Sequence, residues 1–228
     1  MRVSFILLTK QARTGEINDA LVEAIQYNKL GMVKKLVRAG ANVNYWGNDT
    51  FDNPLLSAAD FNNVEIAKYL LDKGADGHII LPQNPVTPLS SALRRGNLEV
   101  ARLLIEREKE IDFKDTFGDT ALMYVVMTEK FNKEICELLL SKGADINAAD
   151  GNGENTILIK LVQSTGDIED KAKFLLDNGA NINASDTAQI TPLISAASAG
   201  NLNLVKLYVE RGADTSARDC WNFSALDN

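Results

Sequence analysis

Thr191-Pro192-Leu193-Ile194-Ser195-Ala196-Ala197, then Gly200-Asn201-Leu202, then Gly212-Ala213-Asp214, is one pass of a pattern that recurs along the whole chain. The glycine-led closing piece recurs at Gly40-Ala41-Asn42-Val43-Asn44, Gly74-Ala75-Asp76, Gly143-Ala144-Asp145-Ile146-Asn147 and Gly179-Ala180-Asn181-Ile182-Asn183. A worn copy stands at Glu108-Lys109-Glu110-Ile111-Asp112. Successive copies are 34, 34, 35, 36 and 33 residues apart. The opening piece keeps the same beat, at Asn53-Pro54-Leu55, Thr87-Pro88-Leu89, Thr120-Ala121-Leu122, Thr156-Ile157-Leu158 and Ser224-Ala225-Leu226. A fixed period of this length means a stack of like units, none of which can bury its apolar face alone.

Each unit can be read residue by residue. Thr or Asn ahead of Pro-Leu is a helix N-cap, with proline at the first helical position, where its missing N–H costs nothing. The first helix is short and small-sided, as in Ser57-Ala58-Ala59, so neighbouring units can approach closely. A break follows at Gly96-Asn97 or Gly200-Asn201. The second helix carries a bulkier apolar stripe, such as Ile66, Tyr69, Leu70 and Leu71, or Ile135, Leu138, Leu139 and Leu140. Glycine at positions 40, 74, 143, 179 and 212 ends it, where a left-handed backbone is easiest without a Cβ. The stretch beyond, for example Asp115-Thr116-Phe117-Gly118-Asp119, reads as a turn or hairpin tip.

This pattern resembles the ankyrin repeat, whose signature runs through Thr-Pro-Leu-His-x-Ala and closes on Gly-Ala-Asp-x-Asn. The resemblance implies an all-α solenoid of about six helix-turn-helix repeats with hairpin-like tips. Repeats are expected at 15–47, 48–81, 82–114, 115–150, 151–185 and 186–218, after a capping segment at 1–14. Residues 219–228 read as a partial seventh repeat or a cap. Repeats four and five are longer between their helices, around Met127–Asn132 and Ser164–Glu169; the turns should absorb the extra residues, and each is a candidate binding feature. The family histidine is replaced by Leu56, Ser90, Met123, Ile159 and Ile194. In the family that side chain ties neighbouring repeats by hydrogen bonds, so packing is expected to join them here.

Hydrophobic residues make up 45% of the chain and charged ones 24%, proportions of a folded globular protein. A net charge of −7 repels a phosphate backbone, so no nucleic-acid partner is expected. Residues 1–114 carry 15 basic and 14 acidic side chains and residues 115–228 carry 9 and 17, so the two ends offer different charge to a partner. The apolar run from Val3 to Leu8 is too short for a membrane span and reads as part of a cap. Cys136 and Cys220 are no disulfide framework, which favours a reducing, intracellular setting. A cytoplasmic location is expected, with nuclear or secreted-effector locations as alternatives.

The residues offer little chemistry. His78 is the single histidine and falls in a turn, so histidine-based nucleophilic triads and multi-histidine metal sites cannot be assembled around it. Asp145-Ile146-Asn147-Ala148-Ala149-Asp150-Gly151 superficially suggests a calcium loop, but its spacing is off by one and the closing glutamate is missing. Cys136 is expected to be a buried small hydrophobe and Cys220 to lie exposed in a tip. No cofactor, no metal and no catalytic activity are expected.

The family resemblance implies a partner on the concave face, built from hairpin tips and the exposed side of the first helices. Exposure there is expected just after the Ala-Ala pair, including Gln163 and Ser164 in repeat five. Aromatics and arginine dominate binding hot spots. They single out Tyr27, Trp46, Phe51, Phe61, Arg94, Arg95, Phe117 and Met127 as candidate partner contacts. The expected function is a monomeric protein-interaction scaffold acting as adaptor, inhibitor or effector. The alternative is the targeting portion of a larger enzyme or channel.

Overall fold

The computed structural model describes residues 14–46, 53–80, 86–129, 131–151 and 155–227. The capping segment expected at 1–14 lies outside these except for Thr14, as do residues 81–85. Two compact units divide the chain, Met1–Lys109 and Glu110–Asn228.

In the first unit the described helices are α1 (Thr14–Gln26), α2 (Leu30–Arg38), α3 (Pro54–Asp60), α4 (Val64–Asp72), α5 (Pro88–Arg95) and α6 (Leu98–Arg107). They form three antiparallel pairs, first helix stacked on first helix and second on second. The first helices start where the caps predict: the Asn53 side chain accepts from Leu55 N–H and Leu56 N–H, and Thr87 Oγ1 accepts from Ser90 N–H. Such a cap contributes about 1 kcal/mol. Left-handed Gly40 and Gly74 close α2 and α4. The worn copy shows its cost at α6, where Glu108 takes an extended backbone and cannot make that turn.

The repeats of this unit are tied by asparagine side chains as well as by packing. Leu56, at a position where the family carries histidine, is fully buried as expected. With no signal in the sequence, Asn63 Nδ2 donates to Ile25 O at 2.6 Å and Asn97 Nδ2 donates to Ala59 O and Asp60 O at 2.8 and 2.9 Å. Each asparagine therefore reaches from the start of one second helix to the end of the preceding first helix. A further rung joins the tips: Asn44 Nδ2 donates to Gly74 O, and Asp76 N–H donates to Asn44 Oδ1. His78 occupies the same place in the next repeat, and its Nε2 meets the Glu108 carboxylate at 2.8 Å.

The second unit contains α7 (Ala121–Met127), α8 (Lys133–Ser141), α9 (Ile157–Lys160, continued as a 3-10 turn over Leu161–Gln163), α10 (Ile168–Asp177), α11 (Pro192–Ser198) and α12 (Leu202–Glu210). Its tips are ordered by aspartates: Asp115 Oδ1 accepts from Phe117 and Asp119 N–H, and Asp186 Oδ1 accepts from Ala188 and Ile190 N–H. Thr120 and Thr191 cap their helices as expected. Thr156 does not: its side chain makes no cap bond, and its buried hydroxyl has no hydrogen-bond partner. The expected first helix of repeat five is correspondingly cut to four α-helical residues.

The two extra residues do fall between helices, and there they are built into the packing. Lys171 of α10 is fully buried, and its ammonium donates to Thr128 O at 2.7 Å and to Thr165 O. Thr128 caps the end of α7 and Thr165 belongs to the next turn, so one cation pins both lengthened connections. Burial pulls the Lys171 pKa below its ordinary value, with Asp167 partly opposing that effect. The connections also touch directly. Gly166, at φ +81, brings its Cα so near Glu129 that a Cβ would lie 2.7 Å from Glu129 O. Only glycine meets both demands.

Candidate partner-binding surface

In the first unit, Tyr27, Phe61 and Arg95 occupy equivalent places, each at the end of a first helix and just ahead of a left-handed residue, Asn28, Asn62 or Gly96. The left-handed turn reverses the chain so tightly that the side chain before it is left at the edge. Tyr27 is 66% exposed and Phe61 54%. Arg94 and Arg95 are also exposed.

Electrostatics separates the two arginines. Arg95 is committed to Asp60, with Nε 2.9 Å from one carboxylate oxygen and Nη2 3.1 Å from the other. That carboxylate also accepts from Ser91 Oγ at 2.5 Å. A forked, hydrogen-bonded pair holds Arg95 in one orientation. Arg94 makes no ion pair among the described residues and is open to an outside carboxylate.

Trp46, 53% exposed, lies elsewhere on the same unit. Its neighbour Tyr45 accepts from Asn53 Nδ2 at the start of α3, while Phe61 stands at the end of that helix. Seven helical residues separate the two levels, a span of about 10 Å at 1.5 Å per residue. The Tyr45 hydroxyl donates to Asp19 at 2.9 Å and fixes the tip on α1. Phe51 lies outside the described residues.

The second unit presents Phe117, 61% exposed, at the tip before α7, and Met127, half-buried at the end of that helix. The tip is rigid. Lys160 pairs with Asp119 and lies 3.7 Å from Asp150, and the Tyr124 hydroxyl donates to Asp115 at 2.5 Å. The equivalents of Tyr27 and Phe61 are small here: Thr128 is half-buried and Ser164, expected at the surface, is buried. The lengthened connections cover this edge. The signal that could have shown it was the insertion itself, coupled to a lysine on the apolar side of α10.

The two cysteines differ in their surroundings. Cys136 is fully buried, and burial pushes its thiol up to about 12, while Cys220 is exposed. Among the described residues no group of His, Cys, Asp and Glu could hold a metal ion, and no helix is long and apolar enough to cross a membrane.

Comparison with known proteins agrees with this architecture. Family models for ankyrin repeats in three copies match residues 3–80 and 79–150, and a model for many copies matches residues 175–227. Mouse B-cell lymphoma 3 protein homolog is 34% identical over 117 residues, 51% of this chain and 25% of that protein. Alpha-latroinsectotoxin-Lt1a of Latrodectus tredecimguttatus is 38% identical over 88 residues, 39% of this chain and 6% of the toxin. The chain thus spans a quarter or less of these relatives' length. Among solved structures, the ankyrin repeat domain of Bcl-3, titled a unique member of the IkappaB protein family, has a TM-score of 0.79 at 27% identity, covering 90% of this chain and 91% of that one. The human ASB11 ankyrin repeat domain has a TM-score of 0.69 at 26% identity, covering 91% and 90%. With its period, its capped helix pairs and three matching stretches in agreement, the chain belongs to the ankyrin repeat family.

Proposed function

We propose that the protein is an intracellular adaptor or inhibitor that holds a partner protein on the first-helix and tip side of its first unit, the side the family resemblance assigns to the concave face. Tyr27, Phe61 and Arg94 form the central contact, Trp46 a second anchor, and Arg95 a fixed wall. The carrying observation is the combination of two exposed aromatics at successive repeat positions with an arginine that makes no ion pair among the described residues. Exposed aromatics desolvate large areas, and an unpaired guanidinium adds direction. The first unit carries 14 basic and 12 acidic residues, whereas the second carries 10 and 19, so an acidic segment is repelled by the second unit and admitted by the first. Phe117 and Met127 are a separate, smaller patch on the second unit. Two unpaired cysteines suit a reducing compartment.

The test is capture of a partner from native lysate by the chain and by Trp46→Ala/Phe61→Ala/Arg94→Glu, with helicity checked by circular dichroism. A partner kept by the chain and lost by the folded triple variant supports the assignment. Equal capture by both removes it.

A further inference from the structure

The worn closing turn of repeat three opens a notch in the first unit. Where the turn is intact, glycine ends the second helix and the alanine after it packs beneath the tip. Ala41, Ala144, Ala180 and Ala213 are all buried in this way. In repeat three, Glu108 replaces the glycine with an extended backbone, and Lys109 replaces the alanine and is exposed. The chain leaves α6 without tucking under, and a notch of about 430 Å³ stands beside it, the size of a small-ligand site. Leu71, Ala75 and Leu104 give it an apolar lining. Its polar edge comes from Asp76 and His78 of one tip and from the chain leaving α6. Most of that edge is already committed. Arg107 pairs with Asp72 at 3.0 Å, and the Glu108 carboxylate meets His78 Nε2 and accepts from Lys109 N–H at 2.7 Å. The Asp76 carboxylate accepts from His78 N–H, and neither it nor the Lys109 ammonium makes an ion pair among the described residues.

We propose that this notch binds a free α-amino acid with an apolar side chain, such as leucine. Its side chain lies on Leu71, Ala75 and Leu104, its carboxylate meets Lys109, and its ammonium meets Asp76. Three features select that chemistry. The occupant stands where an alanine packs in other repeats, so part of it must be apolar. The two charged groups without an ion pair are of opposite sign and come from different repeats, so the occupant carries both charges. Asp76 and Glu108 balance Arg107 and Lys109, so the edge favours neither a net anion nor a net cation. The site is separate from the partner surface proposed above. Antiparallel pairing puts the ends of α4 and α6 at the far end of the helices from Tyr27 and Phe61.

Amide chemical shifts of the isotope-labelled 228-residue chain, titrated with L-leucine to about 20 mM, test this. The expected result is a saturable shift at residues 71–78 and 104–109, half-complete near about 1 mM, as suits so small a ligand in an open site. Isocaproate lacks the ammonium and isoamylamine lacks the carboxylate, and each should bind at least about tenfold more weakly. Asp76→Asn keeps an acceptor for His78 N–H and should weaken leucine by about the same factor. Glu108→Gly/Lys109→Ala rebuilds the turn of the other repeats, so it should keep the helical signal and melting temperature of the parent while abolishing the shift. No saturable shift with L-leucine, equal binding of either analogue, or binding that survives the rebuilt turn overturns the proposal.

Discussion

The two units answer one packing problem differently. In the first, the turn between helices is short, and Asn63 or Asn97 reaches back to the carbonyls that end the preceding first helix. In the second, two extra residues lengthen the turns of repeats four and five. The equivalents Asn132 and Asp167 cap their own helices instead, accepting from Ile135 and Asp170 N–H. The reach-back is made by Lys171, from inside the core, to Thr128 O. A neutral side chain and a buried cation thus do the same job in neighbouring repeats. The choice has a functional consequence. Short turns leave Tyr27 and Phe61 at the surface, and long turns cover Thr128 and Ser164.

The largest effect expected from breaking this contrast is at Lys171. Lys171→Met keeps the apolar stem but leaves the Thr128 and Thr165 carbonyls without their donor, at a cost of about 3 kcal/mol in the second unit. Chemical denaturation should show a lower midpoint for that unit. An unchanged midpoint would mean that packing alone holds the connections. Asn97→Ala removes two neutral bonds and should cost about 2 kcal/mol, less than the lysine because no charge-assisted bond is lost.

Caps give a smaller contrast. Thr191→Ala should cost about 1 kcal/mol, because Thr191 Oγ1 bonds the Ile194 N–H. Thr156→Val should be neutral or stabilising, since it removes a buried hydroxyl with no partner. Thermal melts of the two variants check the sign.

The smallest effect is chemical. Cys220 should react with a thiol reagent in the folded protein and Cys136 only after unfolding. Because burial raises the Cys136 thiol from 9.0 to about 12, its contribution to stability is complete below pH 9 and is lost as pH rises through 12. Mutation to alanine should flatten that part of the alkaline unfolding curve.

Much of this was legible in the chain before any coordinates. Period, caps, glycine stops and the buried Cys136 follow from local residue chemistry, which acts within a turn or two. What was not legible acts between repeats. Asn97 reads in the sequence only as part of the break between helices and Asn63 carries no local signal of its own, and only the stacking shows their donors meeting a neighbour's carbonyls. Lys171 carries no local signal that singles it out, because its partners lie 43 and 6 residues away and become neighbours only when two lengthened turns pack. On the candidate surface, residue type singled out Tyr27, Phe61 and Arg94. Sequence could not separate Arg94 from Arg95, because the Asp60 that occupies Arg95 is 35 residues away.

A partner held on the first unit should leave its footprint there. Hydrogen–deuterium exchange of the chain, alone and with the captured partner, tests it most directly. Slower exchange is expected at residues 23–29, 43–46, 57–63 and 92–97, with the second unit unchanged apart from any effect at the Phe117 tip. Protection confined to residues 110–227, with the first unit exchanging as before, would contradict it.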